Sequence, residues 1–386
     1  MTAQRTIPFG RPWIGDEERR AVEEVLRGDV LAHGPQGKAF EAEFAAVLGE
    51  GAHVVSVSSG MAALHLSYYQ MGLGPGDEVL VPALTHTATV HAVEIMGARP
   101  VFVDCEPRSG NVDVSKMESL ITPRTKAIGI VHFLGVPCPM EEIVSLAERH
   151  GLHVVEDCAL ALGTRLKGKH AGLFGDSGCF SFYPVKHITT GEGGMFVTRH
   201  KSVAGKVSKA RAFGVDRSFS ERTIPGMYDV LSLGLNYRMS DINAALGRVQ
   251  LTRLPEILRR RRANFAFLKD ALKGSGNISV LDGGATGEES SCYCLSVVLE
   301  GPLGAHRAKA VFKLNEAGIG TSVYYPQPVP RMTYYREKYG YRPEDYRQAA
   351  RISDQSIALP VGPHLTADDL DYIVTHFKRV IKEVLP

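Results

Sequence analysis

Three features of the chain could do chemistry together. Asp157 follows Glu156 at the end of the apolar, strand-like run His153-Val-Val155. Lys186 comes 29 positions later, after FSFYPV (180–185) and before HITTGEGG (187–194). Ser58-Ser59-Gly60 stands between the β-rich run HVVSV (53–57) and a helical stretch that begins at Met61. A turn at a helix N-terminus can hold an anion, because free backbone N–H groups and the helix dipole point at it. A lysine for a Schiff base, a carboxylate for a pyridine nitrogen and a cup for a phosphate are the needs of one cofactor, pyridoxal phosphate. The carboxylate keeps the pyridine protonated and so makes the ring an electron sink. The lysine must lose its proton readily, which burial among apolar groups favours. Each group alone has a plainer reading: a surface lysine, a helix cap, a simple turn. Their occurrence at successive strand ends joins them.

The elements that must position them alternate between strand and helix. This pattern predicts an α/β fold, a large domain with a mostly parallel central sheet flanked by helices. Ligands in such sheets sit outside the carboxyl ends of the strands. The segments to examine are therefore 58–60, 83–89, 156–160 and 184–194. The texture changes after Leu251. A long Arg-rich helix (254–272), a loose loop (283–291), a strand (293–299), a helix (306–317), a strand (321–325) and a closing helix (367–384) predict a smaller C-terminal α+β domain. The expected division is a large cofactor-binding domain, 1–250, whose N-terminal helix can pack on the small domain, and a small domain, 251–386.

Forty-four Lys plus Arg against 42 Asp plus Glu leave a net charge of +2. That balance excludes a basic shell for non-specific nucleic-acid binding, though not a local basic patch. The run Arg259–Arg262 reads as a solvated helix face or a subunit contact. Lys201, Lys206, Lys209 and Arg211 read as a soluble helix or as an attraction for a sugar-nucleotide diphosphate. Hydrophobic residues at 44% and charged residues at 22% suit a folded chain. The longest apolar stretch, 128–136, is broken by Gly129, His132 and Gly135, well short of the roughly 20 residues a membrane span needs. The first residues carry no apolar signal core. Six cysteines without a CxxC pair read as reduced, which predicts a cytoplasmic location; Cys292 and Cys294 have the spacing of one strand face. No HxxxH or HExxH motif occurs, so no metal is expected.

The segment VVEDCALALGTRLKGKHAGLFGDSGCFSFYPVKHITTGEGGMFVT (154–198) resembles the central signature of the DegT/StrS family of pyridoxal-phosphate-dependent aminotransferases. Most of these act on keto sugars, usually nucleotide-linked. The resemblance covers nearly the whole chain. Gly34-Pro35, Phe40-Glu41 and Phe44-Ala45 match the opening, LNYRMSDI (235–242) with AALG (244–247) a second signature, and Gly318-Ile319-Gly320 with Tyr324-Tyr325 the small domain. It implies a fold-type I aminotransferase in which Lys186 carries the Schiff base and moves the proton. Asp157 would pair with the pyridine nitrogen, and Ser181 with the Gly60-Met61 turn would hold the phosphate. Asn236 would reach the phosphate in a neighbouring subunit, which implies a homodimer with shared active sites. L-glutamate is the implied amino donor, and a keto or aldehyde sugar the acceptor. Three positions depart from the commoner pattern: Met61 stands for Thr, His86 for the aromatic residue that stacks on the ring, and Leu160 for Gln or His. Lys186 argues against the dehydratase members, which carry His there. A pyridoxal-phosphate dehydratase on the same scaffold and a non-enzymatic cofactor-binding regulator stay as alternatives.

Overall fold

The computed structural model describes residues 5–216, 224, 226–283 and 287–385. Two helices come first, α1 (Asp16–Arg27) and α2 (Pro35–Leu48). Strands and helices then alternate: β1 (His53–Val57), α3 (Gly60–Gln70), β2 (Glu78–Pro82), α4 (Thr87–Ile95), β3 (Arg99–Val103), β4 (Thr125–Val131), α5 (Met140–His150) and β5 (His153–Asp157). Two short strands, β6 (Arg165–Leu166) and β7 (Lys169–His170), precede β8 (Ser177–Ser181), β9 (Gly194–Thr198), α6 (Lys201–Ala210) and α7 (Asp241–Leu272). The rest holds β10 (Ile278–Val280), β11 (Glu288–Glu289), β12 (Leu295–Leu299), α8 (Arg307–Glu316), α9 (Thr333–Tyr339), α10 (Arg347–Gln355), β13 (Ser356–Leu359) and α11 (Ala367–Val384).

Seven strands form the main sheet in the order β1-β9-β8-β5-β4-β2-β3. All run parallel except β9, which lies antiparallel between β1 and β8. Strands covered on both faces need apolar side chains on both. β2 and β9 are buried along their whole length, and β4 is buried at every position but Lys126. The register lines up the site. Val57 and Ser181 both pair with Gly194, and Asp157 pairs with Cys179 on β8.

A second, antiparallel sheet runs β10-β12-β13. Its core joins Leu295, Val297, Ile357 and Leu359 to Leu268 and Leu272 of α7, Leu314 of α8 and Phe377 of α11. α7 spans 32 residues and passes through position 250. Its first half packs on α1 and α2, and it also contacts α11. Sequence pattern places its start at 254 because Gly247 and Pro255 disguise the helix. Gly247 is there for room, since a Cβ would meet the Phe40 ring at 2.5 Å. Ser240 sets the true start by accepting the Asn243 N–H at 3.1 Å.

Three expectations are corrected. The strand expected at 293–299 begins only at Leu295; the Tyr293 N–H donates to the Leu134 carbonyl at 3.2 Å, away from the sheet, and Cys292 before it has φ of 51°. Cys292 and Cys294 therefore do not share a strand face; all six cysteines are free and buried. The strand expected at 321–325 reduces to a single bridge from Ser322 to Ala358. Within the loop expected at 283–291, Glu288–Glu289 pairs with Arg165–Leu166; positions 284–286 lie outside the described residues. Among the described residues, no helix is long and apolar enough to cross a membrane.

Candidate functional site

The chain leaves β1 through Ser58 and enters α3 at Gly60. Ser59 caps that helix by accepting the Ala62 N–H at 3.0 Å. The Gly60 and Met61 amides, in the first turn, have no acceptor among the described residues. A Cβ at Gly60 would fall 2.8 Å from the Cβ of Ser181, so only glycine lets the turn approach the end of β8. Gly194 is needed for the same reason, since its Cβ would press on the Ser59 carbonyl at 2.6 Å. Amides without an acceptor among the described residues, at a helix N-terminus beside the Ser181 side chain, form a cradle of the kind that holds an anion.

Asp157 ends β5 and is 5% exposed. Its Oδ1 accepts the Ala159 N–H at 3.0 Å, and its Oδ2 accepts the Thr89 hydroxyl at 2.7 Å. Lys186 follows β8 by five residues, in a turn closed by its own N–H on the Tyr183 carbonyl at 2.9 Å. Its Nζ lies 5.4 Å from the centre of the Tyr293 ring and has no hydrogen bond or ion pair among the described residues. Removal from water lowers the lysine pKa to about 8, against the attraction of the Asp157 charge. A group with this pKa can act as a base near neutral pH.

His86 caps α4. Its Nδ1 accepts the Ala88 N–H at 3.1 Å, so the neutral ring carries its proton on Nε2. The ring meets Tyr325 edge-on, with centroids 5.7 Å apart. Loss of water lowers its pKa; Asp157 opposes that shift and Lys186 adds to it. His86 and Lys186 both lie within reach of the Asp157 charge, which raises the pKa of each against the loss of water. Asn236 is exposed on the segment between α6 and α7, where its Oδ1 accepts from Arg238 Nε at 3.1 Å. That segment is tied to the cradle, for the Ser58 N–H donates to the Tyr237 carbonyl at 2.8 Å. Leu160 is buried, and its carbonyl accepts from Ser291 Oγ at 2.7 Å.

Several residues escaped sequence reasoning. Thr89, Tyr293 and Tyr325 reach the site from places whose proximity only the fold creates. The one available signal was for Thr89, a hydroxyl in the segment 83–89 that follows β2. Glu156, beside Asp157, takes four hydrogen bonds: Oε1 from the Phe174 and Gly175 amides, and Oε2 from the Gly172 amide, each at 2.7 Å, and Oε2 also from His132 Nε2 at 2.9 Å. His132 Nδ1 accepts the Cys138 N–H at 3.0 Å, which places the proton on Nε2. His132, Glu156 and Cys158 are the one cluster of metal-ligand type among the described residues. The lone pairs of His132 and Glu156 are committed to these bonds, so the cluster anchors β5 instead.

Known proteins resemble this chain along nearly its whole length. The model of the DegT/DnrJ/EryC1/StrS aminotransferase family matches residues 12–378. The spore coat polysaccharide biosynthesis protein SpsC of Bacillus subtilis is 35% identical over 380 residues, which is 97% of either chain. Spr1654 of Streptococcus pneumoniae, solved in its PLP form, superposes with a TM-score of 0.92 at 30% identity, covering 99% of this chain and 100% of that one. PseC of Helicobacter pylori, an aminotransferase involved in the biosynthesis of pseudoaminic acid, superposes with a TM-score of 0.91 at 25% identity, covering 98% and 100%. With Lys186, Asp157 and the Gly60–Ser181 cradle at the carboxyl end of one sheet, the chain belongs to the DegT/DnrJ/EryC1/StrS aminotransferase family.

Proposed function

We propose that this aminotransferase moves an amino group from an amino acid, L-glutamate being the expected donor, to the keto or aldehyde carbon of a sugar, nucleotide-linked sugars included. One observation carries the reading: Lys186, whose pKa the loss of water lowers to about 8, lies within reach of the Asp157 charge at the sheet edge where Gly60 meets Ser181. The polysaccharide and pseudoaminic-acid roles named for two relatives support a sugar acceptor.

When bound, pyridoxal phosphate supplies an aldehyde for an imine linkage and a ring that takes up electrons. The residues of this chain do the rest. Lys186 Nζ, with no hydrogen bond or ion pair among the described residues, would carry the cofactor. Its free amine would serve as the base that takes and returns a proton at the donor's α-carbon. Asp157 would hold the proton of the pyridine nitrogen. The Gly60 and Met61 amides and Ser181 Oγ would hold the phosphate. The His86 ring would cover one face of the cofactor against water. The mechanism is ping-pong, with the two half-reactions sharing one lysine.

Asn236 completes the site of a second copy, so the working unit is a homodimer. In support, its segment exposes Met227, Tyr228, Val230, Leu231 and Leu233, a row of large apolar side chains of the kind interfaces bury. Six free cysteines support a reducing, cytoplasmic setting.

The decisive experiment is a panel of keto and aldehyde sugars offered with glutamate, scored by 2-oxoglutarate release and by nitrogen fixed in the product. Release with at least one sugar is expected. A dehydratase would fix no nitrogen, and a regulator would consume no glutamate with any acceptor; either outcome overturns the reading.

A further inference from the structure

Among the described residues Asp157 has one side-chain donor, and that donor has a donor of its own. Thr89 Oγ1 lies 2.7 Å from Asp157 Oδ2, and Thr85 Oγ1 lies 2.8 Å from Thr89 Oγ1. Both threonines are 1% exposed. An ionised carboxylate can only accept. The Thr89 proton therefore goes to Asp157, and Thr89 must accept from Thr85. The chain has a fixed direction: Thr85 to Thr89 to Asp157. Thr89 sits in the first turn of α4, so the positive end of that helix dipole favours the same charge.

We propose that Thr89, oriented by Thr85, is a positioning residue that sets the basicity of Asp157 and, through it, the protonation of the cofactor ring. This rests on the pairing of Asp157 with the pyridine nitrogen. Donation to a carboxylate stabilises its charged form. Linked hydroxyls polarise one another, which strengthens the last bond in the chain. The charged and titratable groups facing Asp157 are Lys186 after β8, His86 on α4, Tyr68 on α3, Cys179 on β8, the neighbouring Cys158, and Tyr325. None of these donates a hydrogen bond to the carboxylate; Thr89 does.

The test uses the holoprotein in four forms: wild type, Thr89→Val, Thr89→Ser and Thr85→Val. Valine keeps the shape of threonine and removes the donor; serine keeps the donor. The visible absorption of the bound cofactor is titrated against pH, and cofactor dissociation is timed. Without its donor the carboxylate pulls the ring proton toward itself. The ring becomes less positive and the linkage to Lys186 more basic. Thr89→Val should raise the spectral midpoint by about half a pH unit or more and speed cofactor loss about tenfold. Thr89→Ser should keep the wild-type midpoint. Thr85→Val should move in the same direction by less. An unmoved midpoint in Thr89→Val, or equal shifts in the valine and serine variants, overturns the proposal. If Thr89→Val does not fold, Thr85→Val decides: an upward shift supports the proposal and no shift overturns it. An Asp157→Asn protein with the wild-type midpoint would instead overturn the pairing of Asp157 with the ring, and the proposal with it.

Discussion

Gly60 and Ser181 meet so closely that a Cβ on the glycine would sit 2.8 Å from the Cβ of the serine. Two elements distant in sequence thus share one gap, and the cradle depends on it. Gly60→Ala must push α3 away from β8 or shift the turn. Cofactor affinity should fall at least about tenfold, since a few tenths of an ångström already lengthen the amide-to-phosphate bonds. An absorbance titration of the apoprotein with pyridoxal phosphate reads this, and wild-type affinity would remove the cradle from the cofactor's contacts.

Lys186 makes two predictions about pH. Its neutral amine is the reactive form. The rate of cofactor attachment should therefore rise about tenfold per pH unit below the midpoint and level off above about pH 8. Stability follows the same proton. The unfolded chain binds it up to the ordinary lysine range near 10.5, while the folded chain releases it near 8. Between these values the unfolded state holds more protons, so the stability of the cofactor-free protein rises with pH across that window. Lys186→Met should abolish the rise and stabilise the cofactor-free protein at pH 7 by about 1–2 kcal/mol, allowing for partial access of solvent. Urea unfolding at several pH values measures both effects. After borohydride reduction, peptide mass spectrometry should find the cofactor on Lys186 and nowhere else.

Glu156 should be the site of a large stability loss. Burial raises its pKa, but the bond from His132 and the Gly175 and Gly172 amides outweigh that and hold it below the usual value of 4.5. A depressed carboxylate contributes stability above pH 4.5, and that contribution disappears as pH falls through the folded value. Glu156→Gln replaces an acceptor with an amide that must point a donor at other donors. A loss of about 2–4 kcal/mol is expected, together with weaker cofactor binding through the adjacent Asp157. Chemical denaturation of the variant checks the first, and a wild-type midpoint would contradict it.

Mixed dimers test the shared site. Lys186→Ala and Asn236→Ala homodimers should each be impaired. In a mixed dimer one site would keep both residues and the other would lose both. Equal mixing after subunit exchange should then restore about a quarter of wild-type activity, because half the dimers are mixed and each has one whole site. Activity no higher than the average of the two variants would place Lys186 and Asn236 in the same site of one subunit.

Much of this was legible in the sequence because the chemistry sits where strands end. Asp157 and Lys186 follow apolar runs, and Gly60 stands at a strand-to-helix switch, so spacing alone put them on one edge. Thr89 and Tyr293 were not legible, because their roles depend on which strands neighbour each other, and β5 lies beside β8 only after folding. The start of α7 was hidden for a different reason. Gly247 and Pro255 oppose helix locally, and tertiary packing against Phe40 overrides them. Cys292 and Cys294 misled in the opposite sense, since a two-residue spacing says nothing about a positive φ between strands.

The 32-residue helix α7 has a mechanical consequence. At 1.5 Å per residue it is a rod about 48 Å long, gripped at one end by α1 and α2 and carrying the second sheet's core at the other. Any movement that brings that sheet toward Lys186 cannot swing on a loop between the two. It must bend the rod, and Pro255, which leaves the Leu251 carbonyl without its helical donor, is the softest point along it. The fold thus joins its two sheets through one continuous helix.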